Sequence, residues 1–446
     1  MSTAPDVSPD SSPSESGETD TGEFAPTRAA GLDLLTDFVP HAGRDYATGR
    51  NTDPGPGRET AVSMLSRYVS HRLVTEREIV EAVLARHSQA AAQKFVQEVF
   101  WRTYWKGWLE LRPSVWAGYR ADVDRLAAAS IDASQFGASD LDSADDLARA
   151  LEGRTGIECF DAWRDELVET GYLHNHTRMW FASIWIFTLG LPWQLGADFF
   201  YRHLLDGDPA SNTLSWRWVA GLQTTGKTYL ATADNIEKFT EGRFRPTGLA
   251  PVAPAIDDDP VPEARELPAA DAAPDGRVVL LLHDDDTHAE SLELGTATVV
   301  AVGGFSAAAA RSPLGTAEPV LRFAAAAVRD GVDRARRHFA ADELPGLDGP
   351  GPDGTDADGT AADAGLDVDQ LVEAMARVDA TTIVTPYAPT GPVAERLDAL
   401  ERALPAGIHL VRVRREWDTL AWPHARRGFF PFRERIAGLL RAQGLV

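Results

Sequence analysis

Residues 204–218 read LLDGDPASNTLSWRW: two carboxylates, Asp206 and Asp208, then the amide Asn212, then the paired indoles Trp216 and Trp218. Upstream, residues 171–179 read GYLHNHTRM. On a helix, residues three and four apart lie on one side, so Asn175, Arg178 and Met179 share a face. That face offers an amide, a cation and a soft apolar group to one pocket. Asp206 and Asp208 can then pair with Arg178, and a fork-shaped guanidinium facing a carboxylate is a strong, oriented contact.

Working outward, the same chemistry continues toward the N-terminus. Tyr46 stands near Arg50 and Asn51, followed by SMLSRY (Ser63–Tyr68), QEVFWRTYW (Gln97–Trp105) and EGRTG with Asp161. Ser63 and Ser66 offer hydroxyls to a phosphate group. Each residue alone has an ordinary reading, since a single tryptophan is usually core and a serine such as Ser66 often caps a helix. The stretch GLQTTGKT (Gly221–Thr228) fits the pattern of a nucleotide phosphate loop, but that loop works between a buried strand and a helix. Here the preceding residues are SWRWVA in a helical context, so the match is set aside.

Periodicity divides the chain. Residues 1–27 are rich in Ser, Pro, Asp and Glu, and are expected to form a disordered acidic leader. Residues 28–248 show helical patterning and large aromatics, with helices expected over Ile79–Leu84, Phe95–Leu109, Cys159–Thr170, Thr177–Leu189 and Trp193–Leu205. Residues 249–275 read as a Pro/Ala/Asp linker. Residues 276–446 alternate strand and helix: strands at Arg277–His283, Ala297–Val302, Thr381–Thr385 and Ile408–Val413, helices at Pro319–Phe339, Leu366–Val378 and Val393–Leu404. That alternation predicts a doubly wound parallel sheet. A Gly/Asp-rich insertion at 345–365 is expected to be a mobile loop. The run His283–Asp286 ends the first strand, where doubly wound folds bind ligands, but is expected to be a solvated acidic loop.

These segments, in this order and spacing, resemble the FAD-binding catalytic domain of the photolyase/cryptochrome family over about residues 40–245. The fold class expected is therefore mainly α: an all-helical FAD-binding photolyase-like domain followed by a C-terminal α/β, Rossmann-like domain. The resemblance implies FAD contacts from Tyr46, Ser63, Ser66, Arg102, Arg178, Asp206, Asp208 and Asn212. It implies a lesion cavity lined by Glu98, Trp101, Asn175, Met179 and Trp218, and an electron-transfer row that includes Trp216 and Trp193, with Trp116 a candidate outer member. No metal is expected. Family members that repair (6-4) photoproducts carry histidines where Asn175 and Met179 stand, so the implied activity is light-driven splitting of cyclobutane pyrimidine dimers. The alternative is a blue-light photoreceptor of cryptochrome type that binds FAD without repair.

Three departures stand out. The family's Thr-Ser-x-Leu-Ser segment is Val62–Ser66 here, and the Pro that follows is Arg67. Asp234-Asn235-Ile236 replaces the usual Phe-Asn-Pro. The α/β domain follows the flavin domain, whereas in the family it precedes it, and WDTLAWPHARRGFFPFRERI (Trp417–Ile436) is similar to the segment that closes the usual antenna domain. A permuted antenna-like domain is expected, with a second chromophore of unspecified identity.

Composition bounds the setting. The net charge is -24, which at first argues against a nucleic-acid partner. The excess acid lies mostly outside 28–248, where 24 basic residues face 29 acidic ones. A surplus of acid with few lysines resembles proteins of a high-salt cytoplasm, where counterion release contributes little to DNA binding. The single Cys159 excludes an internal disulfide. No apolar run has the length of a membrane span, and the first residues are not a secretory signal. The partner expected is damaged DNA, the location cytoplasmic, with no membrane association and a monomeric state.

Overall fold

The computed structural model describes residues 24–131, 138–256, 260–344 and 367–446, without the side chains of 129–131 and 138–144. Residues 1–23 of the leader and the insertion at 345–365 lie outside the described residues. The helical part comprises α1 (Arg28–Phe38), α2 (Arg44–Gly49), α3 (Ser66–Ser70), α4 (Glu76–Arg86), α5 (Gln89–Glu110), α6 (Pro113–Ile131) and α7 (Ala138–Leu151). It continues with α8 (Glu158–Thr170), α9 (Asn175–Ser183), α10 (Trp193–His203), α11 (Pro209–Val219) and α12 (Ala233–Phe239).

Local chemistry sets the helix ends that matter for the site. Asp208 caps α11, its Oδ1 accepting from Ser211 N at 2.6 Å with Pro209 in the first turn. Gly171, at φ 66°, closes α8 in the left-handed conformation that a side chain would disfavour, and starts the GYLHNHTRM segment. The helix expected over Thr177–Leu189 is α9 prolonged by a π-turn at Ile184–Thr188. Long helix α5 is the hub: it packs against α2, α4, α6 and α11, and its Gly107 lies so close to Trp422 that a Cβ there would meet the indole Cδ1 at 2.8 Å.

The C-terminal part is a five-stranded parallel sheet: β1 (Arg277–His283), β2 (Thr298–Phe305), β3 (Asp342–Glu343), β4 (Thr382–Pro386) and β5 (His409–Val413), in the order β3-β2-β1-β4-β5. β1 is buried except for its first residue, as its unbroken RVVLLLH run requires. Helices α13 (Glu318–Phe339), α14 (Val368–Arg377) and α15 (Pro392–Ala403) connect the strands, and separate apolar clusters line the two faces of the sheet. Three helices not foreseen follow: α16 (Glu416–Ala421), α17 (Phe429–Arg433) and α18 (Ile436–Ala442). Their Trp417, Phe429, Phe432 and Leu440, with Trp422 from the turn after α16, join the core of the helical part. The described residues of the linker region form no regular element, yet Ile256, Val261 and Leu267 pack on that core and Arg265 N donates to Leu111 O at 2.9 Å.

The acidic run at the end of β1 is not solvated, contrary to expectation. His283 is 0%, Asp284 4% and Asp286 1% exposed. Cations brought from elsewhere make this possible: Arg72 of the helical part pairs with Asp286 at 3.1 Å, Asp418 at 2.7 Å and Glu76 at 3.3 Å, and Arg415 with Asp286 at 2.6 Å. His71 Nδ1 meets Asp284 O at 2.5 Å, and Glu110 of α5 accepts from the Tyr387 hydroxyl and from Thr390. The C-terminal edge of the sheet, where such folds usually hold ligands, is thus an interface with the helical part.

Candidate functional site

Two ion pairs form the centre. Leu205 N donates to Gly171 O at 2.9 Å, which brings the LLDGD turn beside GYLHNHTRM. Arg178, on α9, then reaches Asp206 with Nη2 to Oδ2 at 2.9 Å, while its Nε donates to Leu173 O. Asp208 meets Lys106 Nζ at 2.6 Å and Arg102 Nη1 at 3.6 Å, both from α5. Ser70 links the pairs, accepting from Arg102 Nη2 at 3.3 Å and donating to Asp206 O at 3.0 Å. Burial would push both carboxyls up. For Asp206, Arg178 more than offsets that; for Asp208, Lys106 and Arg102 hold the carboxyl well below the usual carboxylate range. Asp285, beside Lys106 and Asp208, is pushed up to about 6, chiefly by burial.

The other residues expected at the cofactor stand around this centre. Tyr46 is buried against Phe38 and Phe95, edge to face, and burial raises its hydroxyl above the ordinary value. Ser66 opens α3 next to Asp206. Ser63 accepts from Leu65 N at 3.4 Å, around Met64 at φ 55°. The Asn212 side-chain amide donates to Ala197 O at 2.8 Å.

The residues expected at a lesion cavity fall into a wall and a flank. Glu98 is ion-paired with Arg50; the adjacent Asn51 carbonyl lies 3.0 Å from His176 Nδ1. His176 Nε2 lies 3.4 Å from the Tyr229 hydroxyl, and the Tyr229 ring stacks on Trp218 at 5.7 Å. Glu98 and Trp218 are thereby ends of one continuous wall. Burial raises the Glu98 carboxyl above its usual range although Arg50 opposes it. On the flank, Asn175 is exposed and Met179 half-buried. Trp101 is half-buried too, with one face covered by Phe429 at 3.6 Å and 13°.

The tryptophans expected in a row lie in two neighbouring buried aromatic groups. Trp216 touches Trp185 edge to face at 6.3 Å and lies over Gly196 of α10, three residues after Trp193. Trp193 stacks on Tyr119 at 5.8 Å, and Tyr119 lies 5.4 Å from Trp116. Trp193 also lines a surface groove of about 520 Å3 together with Pro254 and Ile256. Trp116, buried, donates from Nε1 to Glu395 at 2.7 Å.

Several members were not foreseen. Lys106 is four residues after Arg102 on the same helix, so the spacing was available in the sequence. Arg67, Phe24, His176 and Phe429 carried no such signal, because their partners come from distant segments. Gly221–Thr228 is a turn between α11 and an irregular segment, with Thr224–Lys227 exposed, which agrees with setting the phosphate-loop reading aside.

The cluster fits FAD on its own chemistry. Four cations (Arg67, Arg102, Lys106, Arg178) stand against three acids, Asp206, Asp208 and Asp285, the last of them beside Lys106, and the remaining excess of positive charge suits a pyrophosphate. Among the described residues, buried donors there lack hydrogen-bond partners: Arg67 Nε, Nη1 and Nη2, Arg102 Nη1 and Ser211 Oγ. Such groups are costly to bury unmet, and a polyanionic ligand would meet them. Phe24 closes the cluster over Arg67.

Residues 95–243 match the family model described as the FAD binding domain of DNA photolyase. A deoxyribodipyrimidine photo-lyase of Streptomyces griseus is 31% identical over 196 residues, 44% of this chain and 39% of that protein. The deoxyribodipyrimidine photo-lyase of Vibrio cholerae serotype O1 is 28% identical over 221 residues, covering 48% and 43%. A solved bacterial class III photolyase from Agrobacterium tumefaciens is similar at 27% identity and a TM-score of 0.40, covering 54% of this chain and 50% of the other. The chain spans less than half the length of these curated relatives.

Proposed function

From the membership of this chain in the photolyase/cryptochrome family, with an FAD-binding domain, we propose that it is a light-dependent DNA repair flavoprotein that splits cyclobutane pyrimidine dimers. The observation that carries this reading is the continuous wall from Glu98 through Arg50, Asn51, His176 and Tyr229 to Trp218, next to the Arg178–Asp206 and Lys106–Asp208 pairs.

The cofactor would be held by Arg102, Arg178, Asp206, Asp208, Ser63, Ser66, Tyr46 and Asn212. When bound, FAD supplies the light-driven one-electron chemistry that opens the cyclobutane ring. The protein's share is electrostatic and geometric. The Arg178 and Lys106 pairs keep two carboxylates ionised and fixed, so that their orientation costs no reorganisation during the reaction. Glu98, fixed by its ion pair with Arg50, is suited to accept a hydrogen bond from a thymine N3–H. Trp218 and Trp101 offer aromatic faces to bases taken out of the stack, a geometry that photolyases are already known to use. Asn175 and Met179 flank that surface without a proton to give, which suits a cyclobutane dimer. Trp216 and Trp193 would serve to restore the reduced state of the cofactor.

One observation favours a second reading, a blue-light photoreceptor without repair: Phe429 covers the Trp101 face on which a flipped base would stack. A single experiment separates the two. Reduced, purified protein is mixed with DNA containing cyclobutane dimers and exposed to blue light. Loss of dimers, weakened in Glu98→Gln, supports repair; dimers that persist with flavin bound and photoreduced favour the photoreceptor.

A further inference from the structure

Arg67, the second residue of α3, is 1% exposed, and among the described residues its Nε, Nη1 and Nη2 all lack a hydrogen-bond partner. Its guanidinium lies against two rings, 3.4 Å from the Phe24 centroid and 5.1 Å from that of Tyr172. Two other buried arginines show the contrast: Arg72 has three carboxylates, and Arg311 Nη1 donates to the carbonyls of Tyr201 and Leu204. Aromatic faces offset part of the cost of burying a guanidinium but satisfy none of its N–H groups. Burial lowers the pKa of Arg67, with Asp206 the strongest opposing influence, yet a guanidinium stays charged in a protein. A planar, fully buried fork with no hydrogen-bonded partner is poised for an anion.

The position of Arg67 narrows the choice of anion. It directly follows Ser66, which neighbours Asp206, and it belongs to the same cluster as Arg178. It also stands where the segment similar to the family's Thr-Ser-x-Leu-Ser has Arg in place of Pro, with Val62 carrying no hydroxyl.

We propose that Arg67 is an anchor for the phosphates of bound FAD, a positioning residue that compensates for the hydroxyl absent at Val62, with Phe24 and Tyr172 holding its plane. This rests on the reading of the cluster as the FAD site. The guanidinium donates to phosphate oxygens, and the ligand's charge offsets the cation excess.

The test uses the full-length protein stripped of flavin, in wild-type, Arg67→Met and Arg67→Lys forms, titrated with FAD and with riboflavin, which lacks phosphate. Flavin fluorescence reads binding, and thermal melting of the apoproteins is followed alongside. Arg67→Met is expected to weaken FAD roughly 10- to 100-fold, the worth of a charge-assisted contact, and riboflavin by less than about threefold. Arg67→Lys should fall between. The Met apoprotein should melt higher than the wild-type apoprotein, because an unmatched buried cation has been removed. Equal affinity of wild type and Arg67→Met for FAD, an equal loss for both ligands, or a lower-melting Met apoprotein would each overturn the proposal. A wild-type protein that binds no FAD would instead refute the reading of the site.

Discussion

Lys106 Nζ sits 2.6 Å from Asp208 Oδ2, and both side chains are buried. Asp208 also caps α11, so one carboxylate ties the hub helix α5 to the helix that carries Asn212 and Trp216. In Lys106→Met, Arg102 at 3.6 Å is the remaining cation on Asp208. Removing one partner of a buried pair costs about 3–5 kcal/mol, which denaturant unfolding at pH 7 would register. The sign with pH follows from the depressed Asp208 pKa. Its stabilising contribution is present above the unfolded value near 3.8 and lost as pH falls toward the folded one. The gap between wild type and variant should therefore narrow below about pH 4; a constant gap would show that Asp208 does not depend on Lys106.

The knot around Arg72 makes a stronger demand. Its guanidinium serves Glu76 on its own side and Asp286 and Asp418 from the C-terminal part. Arg72→Met would leave these acids buried with Arg415 as the remaining cation on Asp286, at a cost of about 3–5 kcal/mol. Hydrogen exchange should then report earlier opening at the β1 end and at α16 than at the α5–α11 contact. Uniform loss of protection would argue against an interface held by this knot.

How far the sequence carries differs between these two places. Periodicity marks β1 through RVVLLLH and α5 through its aromatics, and the Arg178–Asp206 pair follows from motif spacing. The burial of His283–Asp286 does not follow, because Arg72 and Arg415 lie far away in the chain and local composition reads as solvated. Helices α16–α18 escape for a related reason. They are short and interrupted by Pro423 and Pro431, and they are stabilised by packing against α5, not by an amphipathic period of their own. Arg67 illustrates the remaining gap: only the fold reveals that, among the described residues, no carboxylate hydrogen-bonds its guanidinium.

Glu166 offers a pH-dependent signature. Burial, with Asp53 adding to it and Arg243 opposing, pushes its carboxyl up to about 7 from 4.5. The native state then holds a proton that the unfolded chain releases, so stability is fully present below about pH 4.5 and declines as pH rises through about 7. Glu166→Gln mimics the protonated form. It should leave stability near pH 5 almost unchanged, raise it at pH 8 and flatten the slope between, as measured by thermal melting across that range. A variant with the wild-type slope would assign the dependence to other acids, such as Asp198, which burial pushes up to about 6.

Gly196 links packing to the proposed photochemistry. An added Cβ would lie 2.4 Å from Trp216 Cη2 and 2.9 Å from Trp185 Nε1. Neither ring can retreat, since Trp185 is 0% and Trp216 2% exposed. Alanine gains up to about 1 kcal/mol of helix propensity but overpacks the core by about 1–3 kcal/mol, so Gly196→Ala should be destabilising on balance. It should also tilt Trp216 against Trp185 and Phe200, and so disturb the aromatic path proposed from Trp216 to Trp193. Light-driven loss of oxidised-flavin absorbance, with an external reductant present, should then slow in Gly196→Ala and cease in Trp216→Phe. Flavin content must stay equal for the comparison to count. If both variants photoreduce at the wild-type rate with full flavin, electrons reach the cofactor by another route, and the aromatic path is packing alone.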